Sequence, residues 1–452
     1  MGAMTMKKST CGNQRGAAAL AVSMLLLFAS SIVVFYLNRG LIFEQKTSAN
    51  QLRSTAAFEV AEAGVEWATG MLNRPYDIDA SCNLLATVNV SFLRRYIQTG
   101  YPGNTGVAVT ANTFPGCKVS GTTLSCGCPT PGVAEQVANP GTALQSSFTV
   151  AFSAVNDPVT GTQDPTAVRV TSTGCTPQAG VCKPLTGGSA ATTGASDANA
   201  TVSVILKLLP TLRAAPSAAL TCGTTCAVGG SYDIFNFEVP SNGYIVNAGG
   251  AITQGNGTTY GTIPGQPVQN ALIPNDPSLS ALSSSDPTCT NSSMFNAYFG
   301  STLAQYAASP EVKVIPGCNN ASTCGALINT AYTVENWRSF YFPDGMALDN
   351  SAPFSVLGAA VAGQGVNLVS PGAININGNI TINGLIFSNS STFNDVGTGT
   401  SNINGAIISC AGYSNNGSGT LSYNSAALGG TGLRPGLMVR VPGSWRDQPT
   451  PY

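Results

Sequence analysis

The sequence contains few charged side chains and no histidine. Asp, Glu, Lys and Arg together make up 9% of the residues, against about 25% in an ordinary soluble domain. Without histidine the chain lacks any Ser-His-Asp or Cys-His nucleophile system and any metal site with histidine ligands. The formal net charge of −1 gives no basic surface for nucleic acid. These absences count against an enzyme and against a nucleic-acid-binding protein.

The charges that are present lie unevenly around one long apolar run. Lys7, Lys8 and Arg15 precede Ala17–Leu37, a stretch of 21 uncharged residues, and no acid occurs before Glu44. At about 1.5 Å per residue a helix of this length spans roughly 30 Å, the thickness of the hydrocarbon core of a bilayer. The cations predict a single-pass segment with a cytoplasmic N-terminus and an exported bulk.

The helical pattern continues beyond this run. No proline occurs before Pro75, and an apolar stripe recurs at a spacing of three or four residues, formed by Phe58, Ala61, Val65, Ala68 and Leu72. The sequence therefore predicts a helix over 17–73, roughly 85 Å long, with its first half suited to lipid and its second half to packing on a domain. An ordinary signal peptide cut near 28–31 is the alternative, although its apolar run is usually shorter.

Two motifs at this helix resemble those of a known family. Gln14-Arg15-Gly16, just before the apolar run, resembles the leader that prepilin peptidase cuts. Residues 57–66, AFEVAEAGVE, resemble the helix signature of PilX-type minor pilins. The resemblance implies cleavage between Gly16 and Ala17 and N-methylation of the new terminus. It also implies contact with other pilins through a membrane and filament-core helix that includes Ala17, Ala21, Leu25, Phe28 and Leu37.

Two positions depart from the pattern of the major pilins. Ala21 is the fifth residue after the implied cut, where major pilins carry glutamate, and Ala17 replaces the usual phenylalanine. The first departure is similar to PilX-type minor pilins and tip pseudopilins. It implies a subunit at or near the filament tip. The resemblance places the chain in the inner membrane before assembly and outside the cell, in the pilus, afterwards.

The exported part is predicted to have an α+β fold. Alternating apolar residues predict strands at 148–152, 168–171 and 202–209, which would form a small antiparallel sheet packed on residues 45–73. The predicted division is a leader at 1–16, a helix at 17–73 with 17–37 transmembrane, a pilin-like α+β head at 74–212 and a β-rich domain at 213–452.

A short repeat lies in this last region. Ile382-Asn-Gly-Leu-Ile-Phe-Ser388 recurs 21 residues later as 403–409, and nearby isoleucines alternate with asparagines. Short strands with Asn-Gly at near-regular intervals predict a parallel β-solenoid with isoleucines stacked inside. Asn-Gly hairpins in a sandwich are the alternative. A helical insertion near 290–310 has an aromatic stripe, which we interpret as the domain's own packing face, with a partner groove as the alternative.

Cysteine is abundant on the exported side. Of 13 cysteines, Cys11 precedes the apolar run and twelve follow it. An even number beyond a membrane segment predicts disulfides in an oxidising compartment. The candidate bridges with short loops are Cys175–Cys182, Cys222–Cys226 and Cys318–Cys324. Zinc is the rival interpretation for the close pairs Cys126/Cys128 and Cys222/Cys226.

No catalytic, cofactor-binding or metal-binding motif is present in the sequence. The acid pairs Asp77/Asp79 and Asp157/Asp164 are interpreted as turn formers. The function predicted is a non-enzymatic minor pilin of a type IV pilus or related secretion filament, active in assembly and in surface adhesion. The alternatives are a membrane-anchored adhesion protein outside any filament, and a secreted solenoid enzyme acting on polysaccharide.

Overall fold

The computed structural model describes residues 15–85, 90–99, 107–110, 112–132, 136–138, 145–156, 161–176, 182, 198–209, 212–213, 215–286, 289, 293–335, 337–360, 364–390, 393–395, 400–429 and 437–447. Within these residues the chain forms one long helix and two further parts. We call the part around the antiparallel sheet, over 92–209, the head, and the stack of short parallel strands over 220–422 the coil.

The long helix α1 (Arg15–Leu72) has nearly the predicted bounds. Its second half packs on the head through the predicted stripe, because Ala61, Val65, Ala68 and Leu72 are buried. Close packing there depends on small residues. A Cβ at Gly64 would lie 2.1 Å from the Ser172 hydroxyl oxygen, so only glycine lets the helix approach the sheet this closely.

The head contains a short helix and the first group of strands. Its main sheet has the order β9-β8-β7-β4-β5, and neighbouring strands are antiparallel. The three predicted strands lie within β7, β8 and β9, which are longer than predicted because they extend past the alternating apolar segments. The elements are α2 (Phe92–Tyr96), β1 (Ile97–Thr99), β2 (Val107–Val109), β3 (Thr113–Phe114), β4 (Gly116–Ser120), β5 (Thr123–Gly127), β6 (Gln136–Val137), β7 (Ser147–Asn156), β8 (Gln163–Cys175) and β9 (Asn199–Leu209).

The coil is built from many short strands and a few helices. Its strands are β10 (Leu220–Cys222), β11 (Cys226–Val228), β12 (Ser231–Asn236), β13 (Val246–Ala248), β14 (Ile252–Gln254), β15 (Tyr260–Thr262), β16 (Leu272–Ile273), β17 (Val312–Val314), β18 (Ser339–Tyr341), β19 (Met346–Asp349), β20 (Val356–Leu357), β21 (Val366–Ser370), β22 (Ile374–Asn377), β23 (Thr381–Ser388), β24 (Phe393–Asp395), β25 (Thr400–Ser409), β26 (Tyr413–Asn415) and β27 (Ser418–Ser422). Its helices are α3 (Pro277–Ser285), α4 (Ser293–Phe299), α5 (Leu303–Ala307), α6 (Ala321–Asn329) and α7 (Ser425–Leu428), with 3-10 turns at Val239–Ser241 and Val268–Ala271 and a π-helical turn at Thr330–Val334.

The strands of the coil pair in parallel. The repeated segments lie side by side in β23 and β25, with Ile382 opposite Ile403 and Gly384 opposite Gly405. Ile382 and Ile386 of β23 and Ile403 and Ile407 of β25 are buried in one shared core. The earlier segment 244–252 contributes β13, which pairs in parallel with β10 and β16. Parallel pairing is the direction of stacked rungs, whereas Asn-Gly hairpins pair antiparallel.

Helices cover one outer side of the coil. We call α3, α4, α5 and α7 the cap. The predicted aromatic stripe is split between α4 and α5 by Gly300, whose φ of +66° ends the first helix. Phe295, Phe299 and Tyr306 are fully buried against Leu385, Phe387 and other outward residues of the coil. The stripe is thus a packing face of the domain itself.

The end of the chain corrects the predicted domain boundary. Strand β28 (Leu437–Arg440) pairs antiparallel with β9, so it extends the sheet of the head. Residues 437–447 therefore lie on the head and not in the domain predicted at 213–452. The return of a terminal strand depends on pairing across more than two hundred residues, which local sequence patterns do not report.

Candidate functional site

The first half of α1 exposes apolar side chains on all sides. Leu25, Phe28 and Leu37 are 69%, 67% and 64% exposed, and Ala21 is exposed too. Within the described residues, the segment Ala18–Leu72 is the one helix long and apolar enough to cross a membrane, and none of its most apolar window is buried. A continuous apolar surface of this size in water requires a lipid or protein partner.

The three serines in the apolar run of α1 hydrogen-bond inside the helix. The hydroxyls of Ser30 and Ser31 donate to the carbonyl oxygen of Leu27, at 2.9 and 2.7 Å, and Ser23 donates to Leu20 at 3.0 Å. Such back-bonding pairs the hydroxyl hydrogens of these serines with carbonyl oxygens of the helix. The helix is therefore compatible with a hydrocarbon environment despite its three serines.

The predicted processing junction lies at the start of this helix. Gly16 and Ala17 fall in the first turn of α1, which begins at Arg15. The cations Lys7 and Lys8, and Cys11, lie outside the described residues. Gly16 and Ala17 therefore lie on the same continuous helix as Ala21, Leu25, Phe28 and Leu37. The helix begins two residues before the predicted start at Ala17, and the processing and filament-core roles of these residues stay predictions.

Near residue 57 the helix passes from an exposed segment into one that packs on the head. Ala57 is fully buried in the head, and Phe58 meets Trp445 in an edge-to-face contact with ring centroids 6.1 Å apart. About two turns further along the helix, the Glu66 carboxylate accepts a hydrogen bond from the Arg440 guanidinium at 2.6 Å. The C-terminal segment therefore helps to hold the second half of the helix on the head.

Asn73 fastens the same C-terminal segment at the end of the helix. Its side-chain amide donates to the Met438 carbonyl oxygen at 2.9 Å, and its side-chain oxygen accepts from the Met438 amide at 2.8 Å. Sequence reasoning missed this contact. The only local signal was an asparagine just beyond the last apolar position, which fits a helix end without naming its distant partner.

Disulfides fasten both the head and the coil. The three candidate pairs, Cys175–Cys182, Cys222–Cys226 and Cys318–Cys324, are bonded in the structure. Three more bridges are Cys82–Cys128, Cys117–Cys126 and Cys289–Cys410. Cys126 and Cys128 bond to different partners, so the zinc interpretation of these close pairs is wrong. The part of the chain that the structure describes contains no cluster of three or more potential metal ligands.

A cation–π contact joins the head to the coil. The Arg94 guanidinium carbon in α2 lies 4.0 Å from the centroid of the Trp337 ring. The same side chain donates to the Glu335 carbonyl oxygen at 2.8 Å and lies 3.9 Å from the Glu311 carboxylate. Because Arg94 is mostly buried there, this contact fixes the head against the coil. No sequence pattern indicated it.

Two of the four acids in the predicted pairs, Asp79 and Asp164, accept hydrogen bonds from residues two to four positions further along the chain. Hydrogen bonds from Asn83 lower the pKa of Asp79, an Asx-type turn contact. Partial burial raises the pKa of Asp164, but hydrogen bonds from Thr166 and Lys207 outweigh it, so its pKa is lowered. Asp157 lies outside the described residues. These hydrogen bonds favour the ionised form of Asp79 and Asp164.

Comparison with known proteins bears on the N-terminal segment. Residues 15–66 match the family model described as PilX N-terminal. This match confirms the resemblance to PilX-type minor pilins over the helix. The crystal structure of the competence-associated pilin ComZ from Thermus thermophilus is also similar, with 13% identity, coverage of 88% of this chain and 97% of that chain, and a TM-score of 0.21. No curated protein matches the chain.

Proposed function

We propose that the chain is a minor pilin of a type IV pilus or a related secretion filament, acting at or near the tip in assembly and adhesion. The observation that carries this proposal is the continuity of α1. One helix runs from the junction at Gly16 and Ala17 through a fully exposed apolar half into a half that is buried in the head.

The mechanism of assembly is physical. In the inner membrane the apolar half of α1 spans the bilayer once, with the N-terminus in the cytoplasm. After prepilin peptidase cuts before Ala17, the helix moves from lipid into the filament core and packs against the helices of other pilins. Residues such as Leu25 and Phe28, exposed in the single chain, exchange lipid contacts for helix contacts there.

The place near the tip is supported by one residue and by the size of the exported part. Ala21 supplies no carboxylate to a neighbouring terminal amine, a feature that the resemblance associates with minor and tip subunits. The coil adds a large body beyond the head. A tip position carries this bulk without repeating it along the shaft and presents it to a surface, which fits an adhesive role.

Mass spectrometry of the N-terminal peptide tests the proposal. The protein is purified from native membranes of strains with and without prepilin peptidase. We expect a terminus at Ala17, methylated, in the first strain and an intact leader in the second. An intact leader in both strains would overturn pilin processing and favour a membrane-anchored adhesion protein, and a peptidase-independent cut near Ser30 would indicate ordinary secretion.

A further inference from the structure

One outer side of the coil is free of the cap. In β23 and β25 the cap covers residues after Gly384 and Gly405, whereas Thr381, Asn402 and Asn404 before these glycines are half-exposed. The same side continues across β27 and β12. We call the outward-facing side chains of β12, β27 and the first part of β25 the open wall.

The open wall carries side chains in two aligned rows. The strand register places Asp233 beside Thr420 and Thr420 beside Asn402 in the first row. The second row runs from Phe235 through Ser422 to Asn404. All six are half-exposed, whereas the inward neighbours Ile234, Leu421 and Ile403 are fully buried. Neighbouring strands are about 4.8 Å apart, so each row offers a side chain at that interval on a flat surface.

Two stacked rings end the second row. Phe235 and Phe237 have centroids 5.6 Å apart and an interplanar angle of 18°. A Cβ at Gly261 would lie 2.7 Å from the Phe235 ring and 3.0 Å from the Phe237 ring, so both rings lie over this glycine. Phe237 is nevertheless 58% exposed. The rings therefore form an apolar platform that is open to solvent.

A small cavity lies beside this platform. Its volume is about 170 Å³, and its walls include Ser217, Glu238, Tyr423 and Ser425. Glu238 follows Phe237 directly, and the Tyr423 amide donates to the Phe235 carbonyl oxygen at 2.8 Å. Burial, together with the nearby Glu238 carboxylate, raises the pKa of Tyr423 to about 12. The cavity thus adds neutral hydroxyls and one carboxylate to the end of the row.

The charges of this surface select among ligands. The six row residues include one carboxylate, on Asp233, and no cation, and the cavity adds the carboxylate of Glu238. A polyanion such as a nucleic acid or an acidic polysaccharide would meet repulsion without compensation. Hydroxyl and amide side chains both donate and accept hydrogen bonds, as sugar hydroxyls do. An exposed ring platform adds apolar contact with the faces of sugar rings.

The geometry points to the open wall and its cavity as a binding site for a neutral polysaccharide chain, stacked on Phe237 and hydrogen-bonded along the Thr, Ser and Asn rows. This inference names the ligand class for the adhesive part of the proposed function and takes only its biological setting from that proposal. An extended polymer fits because the strand register aligns each row across β12, β27 and β25.

Co-sedimentation with insoluble polysaccharides tests the inference. Full-length protein in detergent is mixed with microcrystalline cellulose or with chitin, with heparin-agarose as the acidic comparison. We expect retention on at least one neutral polymer, and binding about tenfold weaker in Phe237→Ala because one stacking contact is lost. Val334→Ala is the matched control, since Val334 is 78% exposed and lies outside the open wall.

Three results would overturn the inference. They are no retention on either neutral polymer, retention on heparin-agarose but not on plain agarose, cellulose or chitin, and equal binding by the Phe237→Ala and Val334→Ala variants. Self-association that disappears in Phe237→Ala, measured by size-exclusion chromatography, would show that a second copy covers the wall instead. A failure of pilin processing would leave this binding assay unaffected, and a failure of binding would leave processing at Gly16 unaffected.

Discussion

At the scale of single residues, the coil depends on glycines that no other residue replaces. Gly384 and Gly405 have φ values of +143° and +150°, which L side chains rarely adopt. They lie opposite one another in β23 and β25. A Cβ at Gly405 would lie 1.9 Å from the Gly384 carbonyl oxygen. The Asn-Gly repeat in the sequence therefore has a conformational cause as well as a packing one.

Replacing Gly405 tests this cause. We expect Gly405→Ala to lower the free energy of unfolding by about 3 kcal/mol or more, from the backbone conformation and the clash together. Thermal unfolding monitored by circular dichroism gives the measurement. Gly70→Ala is the control, because nothing lies within 4 Å of a Cβ there and the site is helical. A Gly405→Ala protein as stable as the Gly70→Ala protein would contradict the prediction.

Tyr260 gives a second prediction at this scale, in its pH dependence. Burial raises the pKa of Tyr260 to about 12, and its hydroxyl has no hydrogen-bond partner within the described residues. The folded state thus holds the phenol proton more tightly than the unfolded state. The contribution of Tyr260 to the free energy of unfolding is fully present below pH 10, its ordinary pKa, and is lost as the pH rises toward 12.

We therefore expect Tyr260→Phe to weaken the loss of stability between pH 10 and pH 12 while leaving the melting temperature at pH 7 unchanged or slightly higher. Melting temperatures of both proteins at pH 7, 10 and 11.5 give the comparison, with buffers chosen to keep about the same ionic strength. Parallel curves for the two proteins across this range would show that Tyr260 does not contribute.

At the scale of elements, α1 combines two chemically different halves in one helix. The first half is exposed and apolar on all sides, and the second is amphipathic and buried on one side. Nothing breaks the helix between them, so a force on one half is transmitted to the other. The C-terminal strand β28, together with Trp445, reinforces the point where the helix enters the head.

A charge in the middle of the first half tests its role as a membrane anchor. A central aspartate costs about 2.5–3.5 kcal/mol in membrane insertion, so we expect Phe28→Asp to increase the fraction of protein extracted from membranes by alkaline carbonate. Leu52→Asp is the matched control, because Leu52 is 72% exposed but lies beyond the apolar run. Equal extraction of the two variants would argue against insertion of this segment.

At the scale of the whole molecule, the chain connects the head to the coil twice, once where it leaves the head and once where it returns. The polypeptide leaves the head after β9, forms the coil, and returns as β28. The Arg94 side chain adds a lateral contact through Trp337, Glu335 and Glu311. A body fixed in this way transmits the orientation of the helix to the open wall.

Removing the lateral contact tests this coupling. We expect Arg94→Ala to destabilise the protein by about 2 kcal/mol, because a mostly buried cation–π contact and a charged hydrogen bond are lost together. The midpoint of thermal unfolding should fall by about 4 °C. Lys207→Ala, which breaks a solvent-exposed pair with Asp164, is the control and should have little effect. Equal midpoints for the two variants would mean that Arg94 does not hold the head to the coil.

The sequence by itself determined the features that arise from local order. Hydrophobic periodicity predicted α1 to within two residues at each end, and the PilX-type signature was confirmed for residues 15–66. The 21-residue repeat predicted that Ile382 and Ile403 occupy equivalent positions, and the short cysteine loops predicted their own bridges. Each of these patterns consists of residues that are close together along the chain.

Only the tertiary structure decided the features that join distant parts of the chain. The pairing of β28 with β9, the contact of Arg94 with Trp337 and the Cys289–Cys410 bridge connect residues separated by more than one hundred positions. The open wall is similar, since Phe235, Ser422 and Asn404 become neighbours through parallel register alone. Burial and shape complementarity select such contacts from many local possibilities, so one sequence read along its length does not reveal them.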